Sequence, residues 1–97
     1  MDRRYTDEYA TKDLYLASFL RTKGIVIKKL EQHGEAGPVY FVFENKDECE
    51  RLENVFWNGI GNDILVNAKS YFTNIRDLKS RIFSMRRITK KAVIDKA

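Results

Sequence analysis

The stretch Ile25–Phe43, IVIKKLEQHGEAGPVYFVF, decides the fold. Ile25–Leu30 is rich in β-branched residues, and Val39–Phe43 is a continuous apolar and aromatic run too short for a helix. Gly34, Gly37 and Pro38 lie between them, so the stretch predicts two strands joined as a hairpin by a longish loop. Alternation points Val39, Phe41 and Phe43 one way and Tyr40 and Val42 the other. Both faces of this strand are apolar, which implies either cover on both sides or one face awaiting a partner.

Helices are expected on either side of the hairpin. Upstream, Thr11 is the expected N-cap of a helix over Lys12–Lys23, with Asp13 in the first turn, where the helix dipole favours an acid. Leu16, Phe19 and Leu20 form its apolar patch with Tyr15 beside them, and Gly24 supplies a left-handed end. Downstream, Asn45 caps a second helix, and Glu48 stands three residues on, the spacing of a capping box. Cys49, Leu52, Val55 and Phe56 make its apolar stripe, Trp57 lies beside the stripe, and Gly59 ends it. Ile64–Val66 is expected as a short third strand. Asn67 then caps a long last helix in which Ala68, Tyr71, Ile75, Leu78, Ile82 and Met85 recur at steps of three and four.

The expected fold class is therefore α+β, in the order α-β-β-α-(β)-α. A small antiparallel sheet, hairpin plus short third strand, has its helices packed on one face. The division is a frayed N-terminus over 1–10, a single α+β domain over 11–85 and a basic C-terminal extension over 86–97. At 97 residues the chain has apolar surface for one core. The early hairpin does not fit a winged helix, and the helix after the second strand does not fit a double-stranded-RNA-binding order.

Charge is divided unevenly along this chain. Residues 1–75 carry 10 Lys and Arg against 12 Asp and Glu, whereas residues 76–97 carry 8 against 2. A near-neutral body ending in a basic segment points to a polyanionic partner. On a helix turning 100° per residue, with Ile75 at zero, Lys69, Arg76 and Arg87 project near about 100–120°, and Lys79, Arg86 and Lys90 at about 20–60°. They form one basic flank, continued by Lys91, with Phe72 and Phe83 at its inner margin. These seven cations are the candidate phosphate contacts.

Tyr40 and Trp57 are candidate stacking residues for bases. Phe41, Phe43, Phe56 and Phe72 are expected in the core, as large aromatics of a small domain usually are. For Trp57, covering the last turn of the second helix is the plainer role.

The inventory of activated groups is thin. His33 is the single histidine and falls in the hairpin loop, and Cys49 falls on an apolar helix stripe, where a thiol is buried and inert. No GxSxG or phosphate-cradling glycine loop is present, and no second His or Cys completes a metal set. The expectation is a protein that is not an enzyme and needs no cofactor. The lone cysteine fits a reducing, cytoplasmic setting, and the N-terminus has no signal-peptide pattern. No run approaches the roughly 18 apolar residues of a membrane span.

Several segments carry a resemblance: Thr11–Leu20 followed by Lys23-Gly24, Val39–Glu44, Phe56-Trp57-Asn58-Gly59, and Tyr71-Phe72 ahead of Arg76–Ser80. Together they resemble a family of short bacterial and phage proteins classed as a domain of unknown function, over about residues 11–84. The resemblance implies the order helix, hairpin, helix, long helix and a prokaryotic or phage cytosolic setting. It supplies no activity, ligand or site residue.

Two functions are expected from different classes. One is a non-catalytic nucleic-acid-binding accessory protein of a bacterium, phage or mobile element, contacting DNA or RNA phosphates. The other is a protein–protein interaction module, a homodimer or an inhibitor of a host protein.

Overall fold

The structure, a computed structural model, describes residues 7–59 and 61–96, and from Arg87 onward only the course of the helix. The order of elements is β1 (Tyr9–Thr11), α1 (Leu14–Thr22), β2 (Ile27–Gln32), β3 (Val39–Phe43), α2 (Lys46–Asn58), a 3-10 turn (Asn62–Ile64) and α3 (Ala68–Lys96). This is an α+β fold with an open antiparallel sheet in the order β1-β3-β2.

β3 is the central strand, as its continuous apolar character requires. The expected hairpin forms with β2, and the loop is closed by the His33 N–H donating to the Pro38 carbonyl at 3.0 Å. The third strand is not at Ile64–Val66 but at the N-terminus. Tyr9, Ala10 and Thr11 pair with Phe43, Val42 and Phe41. The segment expected to fray thus contributes an edge strand, while residues 1–6 lie outside the described residues. Ile64 and Val66 still pack against the core, but the 3-10 turn sits beside α2. The Leu65 carbonyl accepts from Lys23 Nζ at 2.9 Å rather than from a strand.

The inward face of the sheet carries Phe41 and Phe43, with Tyr9, Ile27 and Leu30 packed around them. Ile27 and Leu30 are an odd number of residues apart and would face opposite ways in a regular strand. A bulge between Ile27 and Lys29 absorbs the extra residue and turns both inward. On the outer face Val42 is nevertheless only 3% exposed. Glu8 precedes β1 and Lys28 lies in β2, so their 2.5 Å ion pair spans β3 on this face. The strand is covered on both sides, which answers the question its sequence left open.

α1 begins later than expected. Asp13 is the cap, its carboxylate accepting from the Leu16 N–H at 2.9 Å, while the Thr11 hydroxyl accepts from the Asp13 N–H at 3.1 Å. Leu16, Ala17, Ser18, Phe19 and Leu20 are all buried. Five successive residues sweep more than a full helical turn, so this stretch has no solvent face. The helix closes in a paired left-handed exit at Gly24 (φ +97°): the Gly24 N–H donates to the Arg21 carbonyl at 2.9 Å and the Ile25 N–H to Leu20 at 3.1 Å.

α2 matches its expected signals. Asn45 caps it and Gly59 ends it, both left-handed, and Cys49 and Leu52 are buried with Val55 and Phe56 against the core. The Glu48 carboxylate does not close a capping box but holds Arg51 instead. α3 starts where Asn67 Oδ1 accepts from the Ser70 N–H at 2.9 Å. Its 29 residues make a helix about 43 Å long, and among the described residues the last side chain packed against the core is Ile82. The helix continues through the basic extension to Lys96. No helix among the described residues is long and apolar enough to cross a membrane.

Leu78 is fully buried at the centre of the α3 contact. Leu78→Ala is expected to destabilise the protein by about 2–5 kcal/mol, a large share of a small domain's total, read as a lower urea midpoint. At Gly24 an added Cβ meets nothing within 4 Å, so Gly24→Ala costs backbone strain alone. The expected loss is about 1–2 kcal/mol in the same assay.

Candidate nucleic-acid interface

α3 is held to α1 by polar contacts from Tyr71, Asn74 and Asp77, in the turns that lead up to Leu78. The Tyr71 hydroxyl donates to the Tyr15 carbonyl at 3.1 Å, and Asn74 Nδ2 donates to Thr22 Oγ1 at 2.9 Å. Arg21 pairs with Asp77, which also accepts from Arg81 at 3.2 Å. Ser18 and Thr22, which lie on the same side of α1 as Tyr15, spend their hydroxyls on the Leu14 and Ser18 carbonyls. The helix surfaces therefore meet without a buried side-chain polar atom left unpaired among the described residues.

These contacts set the rotation of α3 and so decide what faces outward. Measured from Leu78 at 100° per residue, Tyr71, Asn74, Asp77 and Ile82 fall within about 100° on the body side. Phe72, Arg76, Lys79, Phe83 and Arg86 fall at about 80–160°, one outward strip roughly 21 Å long. All five are exposed. Lys69 lies at the strip's outer margin and is exposed too. The expected flank is therefore assembled for Lys69, Arg76, Lys79 and Arg86. Arg87, Lys90 and Lys91 continue along the helix, with side chains outside the described residues.

The aromatics are arranged differently from expectation. Phe41 and Phe43 are buried and Phe56 is half-buried, but Phe72 is 60% exposed. It sits one position past Tyr71, which takes the place against α1. Phe83, three turns further on, is 65% exposed. The Arg76 guanidinium lies over the Phe72 ring, 5.9 Å from its centroid. The two candidate stacking residues are elsewhere. Tyr40 stacks on His33 at 4.4 Å on the outer face of the sheet. Trp57 is exposed on α2, edge-on to Phe56 at 5.1 Å. The sheet separates them, so they do not form one platform. Phe72 and Phe83 are the aromatics that share the strip, and their eleven-residue spacing, close to three whole turns, puts them on one line of the helix.

Many charges of the body pair with one another. Glu48 and Asp63 both hold Arg51, at 2.7 and 2.9 Å. Glu50 faces Lys46 at 4.0 Å, and Glu53 accepts from the Tyr9 hydroxyl at 2.6 Å. Burial, reinforced by Glu53, pushes the Tyr9 phenol well above its ordinary value. Lys29 pairs with Glu31 at 3.3 Å. By contrast, Lys69, Arg76, Lys79 and Arg86 form no ion pair with another described residue. The acids of α2 are thus not spent on the strip.

Burial pushes the Cys49 thiol up to about 11, with Glu48 and Glu50 adding to the rise, so it stays protonated at neutral pH. Its Sγ–H points to the Glu44 carbonyl at 3.4 Å. No group of three or more His, Cys, Asp or Glu among the described residues is placed to share a metal ion.

The chain matches the domain of unknown function DUF5659 over residues 6–84. It belongs to this family. The DUF5659 region takes in β1, the whole core and the strip as far as Phe83, and it stops short of Arg86. No curated protein and no solved structure matches the chain.

The hydrogen bond from Arg21, with Arg81 beside it, holds the Asp77 carboxyl below its ordinary value against a smaller opposing effect of burial. A depressed carboxylate stabilises the fold above the unfolded pKa, about 3.9, and loses that contribution as pH falls through its folded value. The pair is half-exposed, so Asp77→Asn is expected to cost about 1 kcal/mol or less at neutral pH. Urea melts of both proteins across the acid limb should converge below the carboxylate range.

Proposed function

We propose that this protein is a non-catalytic nucleic-acid-binding accessory protein of a bacterium, phage or mobile element. The observation that carries the reading is that Arg76, Lys79 and Arg86 share one outward strip of α3 with no acid among the described residues pairing them. Such cations displace the counterions condensed on a phosphate backbone, and that release drives association. Arg76 and Arg86 offer two-pronged hydrogen bonds to phosphate oxygens, and Lys79 a compact charge between them. Lys69 stands at one end, and Arg87, Lys90 and Lys91 follow at the other. Contacts of this kind position a nucleic acid and carry little sequence information. A cytoplasmic setting suits such a partner.

A second reading, a homodimer or an inhibitor of a host protein, is favoured by the exposure of Phe72 and Phe83 on a helix that outruns the core. Sedimentation of the free protein across a concentration series separates the two.

The variant Arg76→Gln, Lys79→Gln, Arg86→Gln alters exposed side chains that pair with no acid among the described residues, so its thermal midpoint is expected to stay near that of the parent. Its affinity for DNA or RNA at low salt is expected to fall steeply. The slope of log affinity against log salt should become shallower by about 2–3, since each lost phosphate contact removes about 0.7–0.9. Unchanged affinity and slope, read by fluorescence anisotropy, would remove this function.

A further inference from the structure

We infer that the strip on α3 takes single-stranded nucleic acid, with bases stacked on Phe72 and Phe83 between phosphates held by Arg76, Lys79 and Arg86. This rests on the nucleic-acid reading above and goes beyond it by naming the form of the ligand and the residues that select it.

The argument begins from the cost of the two rings. A phenylalanine more than half exposed stabilises nothing by burial, and this helix carries two on the same outward line. They are about 16 Å apart along the axis, with Arg76 and Lys79 between them and Arg86 beyond. An occupant must therefore satisfy cations and flat apolar surfaces in alternation. A single strand does so, because each nucleotide brings one phosphate and one unstacked base with an accessible π-face. A duplex brings phosphates and groove edges, but its base faces are already stacked on each other, which leaves both rings idle. The Arg76 guanidinium over Phe72 steadies that ring, and more than half of the side chain stays open to solvent.

Other occupants fit less well. A second copy docked by the same strip would bring Arg76, Lys79 and Arg86 against their own counterparts, like charge on like charge. An anionic membrane would accept the cations, but an interfacial helix needs a continuous apolar face, and here the two rings are separated by charged residues.

The test compares oligothymidylate, an abasic strand with the same number of phosphates and a mixed-sequence duplex of equal length. The proteins are wild type, Phe72→Leu with Phe83→Leu, and Phe72→Tyr with Phe83→Tyr, each checked by thermal melting. The leucine pair is expected to weaken oligothymidylate binding about tenfold or more, while duplex and abasic-strand affinities and the salt slope stay unchanged. The tyrosine pair keeps the rings and is expected to keep the affinity. If the leucine pair lowers the melting temperature, the tyrosine pair and the abasic strand still decide. Wild-type binding that is equal for all three probes and indifferent to the leucine pair would overturn the single-strand assignment and leave phosphate binding standing. No binding at low salt to any of these probes or to oligouridylate would overturn the underlying function. Tighter binding to phosphatidylserine vesicles than to oligothymidylate, or a wild-type dimer dispersed by the leucine pair, would overturn the assignment in favour of that occupant.

Discussion

Unbroken burial from Leu16 to Leu20 constrains everything around it. A helix of nine residues is too short to hold itself in water, and one with no solvent face over a full turn must be enclosed by several elements at once. The sheet meets it through Phe41 and Phe43, α2 through Cys49 and Leu52, and α3 through Leu78. On the side toward α3 the helix carries Ser18 and Thr22, whose hydroxyls are paired within α1 and across to Asn74. That side admits a close neighbour and fixes its rotation through Tyr15–Tyr71, Thr22–Asn74 and Arg21–Asp77. The outward strip of α3 is a consequence. Once Leu78 and Tyr71 are committed to α1, Phe72, Arg76, Lys79 and Phe83 have nowhere to go but solvent.

The sheet solves the opposite problem. Its inner face is closed by helices, and its outer face has none. Val42 on that face is almost inaccessible all the same, and the Glu8–Lys28 pair joins the two strands that flank β3. Mutual attraction lowers the Glu8 carboxyl and raises the Lys28 amine relative to their ordinary values.

Acids and bases are segregated by use. Around α2 and the 3-10 turn, Arg51 is clamped by Glu48 and Asp63, which ties the helix to the turn that follows it. At the helix pair, Arg21 and Arg81 share Asp77. These pairings make the body nearly self-neutral and leave the surplus positive charge on the far side of α3. Exposed pairs of this kind add little stability. Their larger effect is to keep carboxylates away from the cations that remain.

Much of this architecture was legible from local signals. The hairpin, the caps at Asn45 and Asn67, the left-handed ends at Gly24 and Gly59, and the seam through Tyr71, Leu78 and Ile82 each rest on the conformational preferences of a few neighbouring residues. The same periodicity placed Arg76, Lys79 and Arg86 on one flank, because helical spacing is a local property. Three features were not legible. Tyr9–Thr11 is too short to show a period and is a strand only because β3 has a free edge to fill. The bulge at Lys28 exists because Ile27 and Leu30 must both meet the core. Phe72 looked like a core residue by type, and packing of Tyr71 against α1 turned it outward. Local chemistry determined which elements form and which residues share a helical side. Only the tertiary structure decided which of those sides is buried, because burial is settled by competition among distant segments for a limited interior.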